Sequence, residues 1–400
     1  MPLFKKRQPR AIARHGRLKV QSRASAFGGI LLKGLAMVVG ASVAIAGVAV
    51  YELSNQFKAH GLTLPNSKPI TAEDLKGPIN ILLVGSDTRK GQGKGYGNET
   101  STLADVMILL HVSADRQSAT AVSFPRDLMV PWPACPSTSG GPGYLPQSLG
   151  QLNATIANGG PGCTLLTIEQ LTGLTIPYLA MIEFNGVIEM SNAIGGVDVC
   201  VAKEINDPYT QTYLQPGKYT LQGKAALQFL RTRHGVGDGS DLSRISNQQV
   251  FLTSLVRKIK SAGVLTNPVQ LYSLANAAAR NMQLSESLTD LGTMVSLASS
   301  LKDVSLEKMV FVQVPSHGGL PAPYSGRVMP NYDQANILFQ KLVNDEPVKL
   351  GSNTGQGAVL ATPTPTPTAS GKATATPSPS PTDSLDFLTG TDASQTTCSN

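Results

Sequence analysis

The chain opens with a stretch of charge followed by a stretch with none. Residues 1–33 hold nine bases (Lys5, Lys6, Arg7, Arg10, Arg14, Arg17, Lys19, Arg23 and Lys33) and no acid. Gly34 to Tyr51 is then an 18-residue run without a charge, which Ala26 to Leu32 extends upstream of Lys33. A run of that length crosses a hydrocarbon core of roughly 30 Å as a helix. Positive charges on its amino side predict a cytoplasmic amino terminus, with everything after about residue 52 outside the membrane. A cleaved signal peptide is the rival reading, and the long leader and anchor-length run favour a retained anchor. Residues 52–77 read as a polar stalk and 78–350 as the globular part. Residues 351–400, rich in Thr, Pro and Ser as in TPTPTPT and TPSPSPT, read as a disordered tail too poor in apolar residues to fold.

Inside the globular part, short apolar runs alternate with longer segments of helical period. Ile79–Val84, Val106–Val112, Ser118–Phe124, Pro177–Phe184 and Met309–Val314 predict strands. Thr164–Leu171, Ala225–Arg231, Asp241–Ser261 and Ser285–Leu301 predict helices. The alternation predicts an α/β (mixed α+β) domain, a central mixed sheet flanked by helices.

Composition changes this picture in two places. The net charge of +7 suggests a nucleic-acid partner, but removing the nine leader bases leaves 24 bases against 26 acids. The basicity therefore belongs to the leader, and a nucleic-acid partner is excluded. Four cysteines, Cys135, Cys163, Cys200 and Cys398, suit an oxidising compartment. A Cys135–Cys163 disulfide would pin the Pro/Gly/Ser-rich loop between them, four separate thiols being the alternative.

Charges gather where predicted strands meet loops, the usual place for ligand sites in α/β sheets. Gly85-Ser86-Asp87-Thr88-Arg89 follows the first strand, Asp105 precedes the second, and Pro125-Arg126-Asp127 follows the third. Farther on stand Arg231-Thr232-Arg233-His234, Asp241, Arg244 and Gln248. An extended Arg231–Arg233 segment would aim both guanidinium groups to one side. Arg244 and Gln248 lie one turn apart near the start of a helix, where free N–H groups attract anions. Converging arginines of this kind make an oxyanion or phosphate site. Asp87 and Asp105 bracket a Gly-rich loop, and paired carboxylates facing a diphosphate are a common way to hold Mg²⁺. The loop itself, Gly91–Gly97 (GQGKGYG), lacks the order of a phosphate-binding P-loop. No Cys/His spacing suggests zinc, and no G-x-S-x-G motif suggests a serine hydrolase.

Taken together, NILLVGSDTR, LADVMILLHV, VSFPRDL and GKYTLQGKAALQFLRTRHGVGDGSDLSRISNQQ resemble the LytR–CpsA–Psr family, in order and spacing, from about Pro78 to Leu342. The resemblance implies a hydrophobic tunnel for a polyprenyl chain. It also implies transfer of a glycopolymer from a polyprenyl diphosphate carrier to peptidoglycan at the outer face of the cytoplasmic membrane. By match to the family's motif, Asp87 and Asp105 would hold Mg²⁺ (or Mn²⁺). Arg89, Arg126, Arg231, Arg233, Arg244 and Gln248 would contact the diphosphate. Asp87, Asp105, Arg126, Arg233 and Arg244 form the expected catalytic set, either aspartate serving as the base. One departure stands out: where the family often has Arg-Ser-Asp-Thr, this chain has Leu103-Ala104-Asp105-Val106. The aspartate is kept and the arginine is missing. Two other functions use the same residues, a polyprenyl diphosphate-glycan hydrolase and a non-catalytic protein that binds wall polymer.

Overall fold

The computed structural model of the chain describes residues 23–65, 76–88, 102–137, 141–261, 264, 267–361 and 385–400. Two compact units divide it, Met1–Glu52 and Leu53–Asn400. The described part of the first unit is helical, belonging to α1 (Arg23–Ala59). Leu35–Ala59 is long and apolar enough to cross a membrane. Leu35, Val38, Val43 and Ile45 are all exposed on a helix that is apolar on every side.

The second unit begins inside that helix, so residues 52–59 of the expected stalk are helical. Nothing between Glu52 and Ala59 breaks a helix, and Leu53 and Phe57, four residues apart, are buried in a core cluster. Beyond the helix, Leu64 is also buried, and residues 66–75 lie outside the described residues.

Eight strands make the main sheet: β1 (Gly61–Leu62), β2 (Ile79–Ser86), β3 (Ala104–Val112), β4 (Ala119–Phe124), β5 (Tyr178–Ile182), β6 (Met282–Ser285), β7 (Met309–Gln313) and β8 (Gly390–Asp392). Their order is β1-β6-β5-β2-β3-β4-β7-β8. β2, β3 and β4 run antiparallel, whereas β5 lies parallel to β2 and β7 parallel to β4. The sheet is therefore mixed, as the sequence predicts. Around it lie α2 (Thr155–Thr172), α3 (Phe184–Ala193), α4 (Lys224–Arg231), α5 (Asp241–Ser261), α6 (Pro268–Asn281), α7 (Leu291–Lys302) and α8 (Tyr332–Val343).

Side-chain alternation along β2 separates two faces. Leu82 and Val84 are fully buried, in a cluster with Ile168 of α2 and Leu338 and Phe339 of α8. Phe124 stacks on Phe339 there, with ring centroids 6.5 Å apart. On the opposite face Ile81 and Leu83 stay only half-buried in the middle of an eight-stranded sheet, beside the cluster that holds Ile108, Tyr178 and Phe311. Side chains alone do not fill that face.

The expected helix Ser285–Leu301 divides. Met282–Ser285 is strand β6, Glu286–Leu288 makes one tight turn, and α7 starts only after Asp290, which caps the Thr293 N–H at 2.7 Å. Serine and threonine oxygens compete with helical bonding at this point: Ser287 donates to the Pro177 carbonyl and Thr289 to that of Glu286.

The expected disordered tail is also corrected. Residues 362–384, its Thr/Pro/Ser-rich part, lie outside the described residues, but residues 385–400 fold. Leu388 is fully buried, β8 closes one edge of the main sheet, and Thr397–Ser399 joins a second sheet beside Val197–Val201. Apolar Leu385, Phe387 and Leu388 supply the burial that the Thr/Pro/Ser stretch lacks. A Cys200–Cys398 disulfide fastens the segment, and the Cys135–Cys163 pair forms as expected.

Candidate anion site at the mouth of an apolar cavity

The site begins with an irregularity between β2 and β3. Gly85 pairs with Val106 and Ser86 with Ala104, leaving Asp105 as the extra residue of a β-bulge. A bulge re-aims the side chain of its unpaired residue, and bulges gather beside active sites. Here the redirected carboxylate borders a cavity of about 450 Å³.

The cavity accounts for the unfilled sheet face. Leu83 and Ile108 form its floor, Phe184, Val187 and Met190 of α3 one wall, and Leu252, Leu255 and Ile259 of α5 the other. Leu274 of α6 also lines it. Polar groups border the same space: Asp105, Arg126, Arg231, Arg233, Arg244 and Gln248. Six of the eight residues expected at the site therefore share one cavity. Arg89 lies outside the described residues. Asp87 does not line the cavity; its Oδ1 accepts the Leu103 N–H at 2.7 Å.

Each arginine is held by a different device. Arg126 follows β4 and donates from Nη1 to Asp105 Oδ1 at 2.7 Å, with Asp241 and Asp127 carboxylates 3.6 and 3.7 Å from its Nε. Burial opposes its charge, yet these carboxylates outweigh burial and hold its pKa above the ordinary value. Arg244, on the first turn of α5, is 6% exposed, pairs with Asp241 and reaches the Asp105 carbonyl at 3.4 Å. Burial pulls its pKa down, against the pull of Asp241. The same burial raises the pKa of Asp241, opposed by Arg244 and Arg126. The Nε groups of both Arg126 and Arg244 are buried without a hydrogen-bond acceptor among the described residues.

Arg231 corrects the extended-segment expectation. It is the last residue of α4, only Thr232 beyond it being extended, and its guanidinium lies over the Phe184 ring at 4.5 Å. The helix and the cation–π contact, not strand alternation, bring Arg231 and Arg233 to the same cavity. Arg233 donates from Nε to the Gly239 carbonyl at 2.7 Å, and Gln248 from Nε2 to the Leu230 carbonyl at 3.0 Å.

Three acids organise this cluster: Asp127 and Asp241, which the sequence places in the charge clusters without giving them a role, and Asp207, which it does not single out. Asp241 ties α5 to Arg126, whose backbone N–H it accepts at 3.1 Å. Asp127 accepts from Gln151 at 2.6 Å and from Arg327 at 2.8 Å. Asp207, fully buried, accepts the backbone N–H groups of Arg233 and His234 at 2.9 and 3.1 Å. Asp-Pro at 207–208 is an ordinary turn signal, so nothing in the sequence ties it to residues 26 positions away.

Fold and site together define a mixed-sheet domain whose apolar cavity is headed by arginines. The chain belongs to the LytR_cpsA_psr family, whose model matches residues 47–341. It is 28% identical over 312 residues to the cell wall biosynthesis protein LcpA of Corynebacterium glutamicum, covering 70% of this chain and 59% of that protein. It is 26% identical over 281 residues to the polyisoprenyl-teichoic acid–peptidoglycan teichoic acid transferase TagT of Bacillus subtilis, covering 68% and 81%. The chain spans 59%, 48% and 55% of three of its curated relatives. Among solved structures, a LytR-Csp2A-Psr enzyme from Actinomyces oris shares the fold with a TM-score of 0.51 at 23% identity, over 71% of this chain and 96% of that one. TagT bound to LIIa-WTA gives 0.51 at 21% identity, over 71% and 98%.

Proposed function

We propose that this protein is a phosphotransferase that moves a glycopolymer from a polyprenyl diphosphate carrier onto peptidoglycan, outside the cytoplasmic membrane. The observation that carries the reading is the junction of two opposite environments in one cavity: an apolar body suited to a lipid tail and a head with four arginines suited to a diphosphate. The names of the transferase relatives point the same way, and α1 serves as the anchor, its basic leader on the cytoplasmic side.

In the reaction an acceptor hydroxyl attacks the phosphorus that carries the glycan. The bond from that phosphorus to the bridging oxygen breaks, polyprenyl phosphate leaves, and the hydroxyl proton passes to a base. Phosphoryl transfer asks the protein mainly to position groups and neutralise charge, which Arg126, Arg231, Arg233 and Arg244 do for the oxygens of the diphosphate. Asp105, which lines the cavity along with Glu183 and Asp207, is the base in this reading, since Asp87, the other expected base, does not line it.

A divalent cation, Mg²⁺ or Mn²⁺, fits as a companion of the diphosphate and not as the occupant of a protein cage. Asp105 offers a hard oxygen donor at the cavity, whereas no three His, Cys, Asp or Glu side chains converge as a metal site among the described residues. Asp105 would hold it together with Asp87 at the end of the adjoining strand, and when bound it offsets charge on the phosphate oxygens.

The test uses the full chain in detergent with a lipid-diphosphate oligosaccharide, peptidoglycan fragments and Mg²⁺, read by mass. A phosphodiester conjugate that falls by about 10²–10³ in rate on Arg233→Ala establishes the transferase. Released polymer phosphate without conjugate makes it the hydrolase, and unchanged substrate makes it a binding protein.

A further inference from the structure

Tyr209 is a large aromatic side chain that is 79% exposed, yet firmly held. It stands in the turn between two short antiparallel strands, Ile205–Asp207 and Thr212–Leu214. Asp207 Oδ1 accepts the N–H groups of Tyr209 and Thr210 at 3.0 and 3.3 Å, closing an Asx-type turn. The other oxygen of the same carboxylate fixes Arg233 and His234. The imidazole of His234 lies against the Tyr209 ring, with centroids 4.5 Å apart and planes tilted by 39°. One buried carboxylate thus sets the aromatic pair and a diphosphate-facing arginine in fixed relation. Both rings border the cavity at its polar end.

We infer that the Tyr209–His234 pair is a saccharide subsite that stacks on the first sugar of the lipid-linked glycan. This rests on the phosphotransfer reading, because the sugar attached to a diphosphate held by Arg231 and Arg233 is the next group outward from the cavity. The face of a phenol ring carries negative potential and attracts the polarised C–H bonds of a pyranose face. His234 covers only part of the tyrosine, so a broad ring surface stays open. The contact adds affinity for sugar without choosing among polymers, and it holds the glycan clear of the path by which an acceptor hydroxyl reaches the phosphorus.

The experiment measures binding to the full chain in detergent micelles by calorimetry. The probes are farnesyl diphosphate and the same lipid diphosphate bearing one N-acetylglucosamine. The sugar is expected to tighten binding to the unaltered protein. Tyr209→Ala should remove that gain, weakening the sugar-bearing probe by about tenfold relative to farnesyl diphosphate, and Tyr209→Phe should keep most of it. Equal losses on both probes would make Tyr209 a structural residue and overturn the inference. So would a sugar-bearing probe that the unaltered protein binds no better than farnesyl diphosphate, which would leave the phosphotransfer reading standing. Failure of the unaltered protein to bind either probe overturns that reading, and the subsite with it.

Discussion

Arg244→Met tests whether the buried pair at the start of α5 is the hinge of the site. Asp241 is 5% exposed and Arg244 6%. Met keeps the stem and removes the guanidinium, leaving the carboxylate with the Arg126 N–H at 3.1 Å and the Arg126 Nε at 3.6 Å. Removing one partner of a buried pair costs roughly 3–5 kcal/mol, and the surviving Arg126 contacts put this case near 3 kcal/mol. With a urea dependence of about 3 kcal/mol per molar, the midpoint falls by about 1 M. The loss also depends on pH. Burial raises the folded pKa of Asp241 above its ordinary 3.8, and the variant raises it further. A raised folded pKa means stability is intact below the unfolded value and is lost as pH climbs through the folded one. The deficit of Arg244→Met should therefore be small near pH 3 and full at pH 7. Adding Asp241→Asn removes the uncompensated charge and should restore stability to within about 1 kcal/mol, while transfer stays lost because the guanidinium is gone. A single variant as stable as the parent at pH 7, or a double variant no more stable than the single, refutes the reasoning.

Other outcomes follow from the same geometry. Cys398→Ser opens a bridge between residues 198 positions apart; loop entropy alone puts the loss at roughly 5 kcal/mol, and an unchanged urea midpoint would show that residues 385–400 add nothing to the fold. Asp207 is buried, which alone would raise its pKa, but the N–H groups of Arg233, His234, Thr210 and Tyr209 outweigh burial and hold it below 3.8. A depressed pKa gives stability that is present above the unfolded value and lost as pH falls through the folded one, so Asp207→Asn should be about 2 kcal/mol less stable at pH 7, with the gap closing below pH 3.8; a gap independent of pH would contradict the ionised role. Leu274→Trp fills part of the apolar body and should weaken farnesyl diphosphate binding by about tenfold while leaving pyrophosphate binding as it was; equal loss on both would mean the tail lies elsewhere.

The strands of the sheet were legible because β2, β3, β4 and β7 are buried on both faces or nearly so, and such strands read as continuous apolar runs. Helix α5 was legible to the residue, Asp241 to Ser261, because its apolar period and flanking signals agree. The arginines were legible as a set through motif order and not through geometry, and the assumed geometry was wrong for Arg231, which a helix presents. The folded end of the chain was hidden by its neighbours: sixteen residues with a cysteine and a few apolar side chains follow a long Thr/Pro/Ser stretch, and composition averages over both. The pairing of Cys398 with Cys200 is a long-range fact, and spacing carries no information about it. Asp207 was passed over, and Asp241 was named without a role, for a related reason. Their importance lies in which distant N–H and guanidinium groups they meet.

Those acids change the physical account of how the site holds an anion. Around Arg126 and Arg244 stand the carboxylates of Asp105, Asp127 and Asp241, and Asp207 holds the backbone of Arg233. Four uncompensated arginines in a cavity walled by leucine and phenylalanine would carry a large desolvation cost before any ligand arrived. For Arg126 and Arg244 the carboxylates offset that cost and hold the guanidinium groups, whereas the Gly239 carbonyl holds Arg233 and the Phe184 ring lies beneath Arg231. Among the described residues, the Nε groups of Arg126 and Arg244 are buried without an acceptor, and an unmade hydrogen bond of a charged group costs more than a made one returns. An anion on the cavity side of these guanidinium groups meets donors already held in place, which is the preorganised stabilisation that phosphoryl transfer requires. At the position of the missing family arginine, Leu103 acts through its backbone instead: its N–H is accepted by Asp87 at 2.7 Å, which ties the end of β2 to the start of β3 beside the bulge at Asp105.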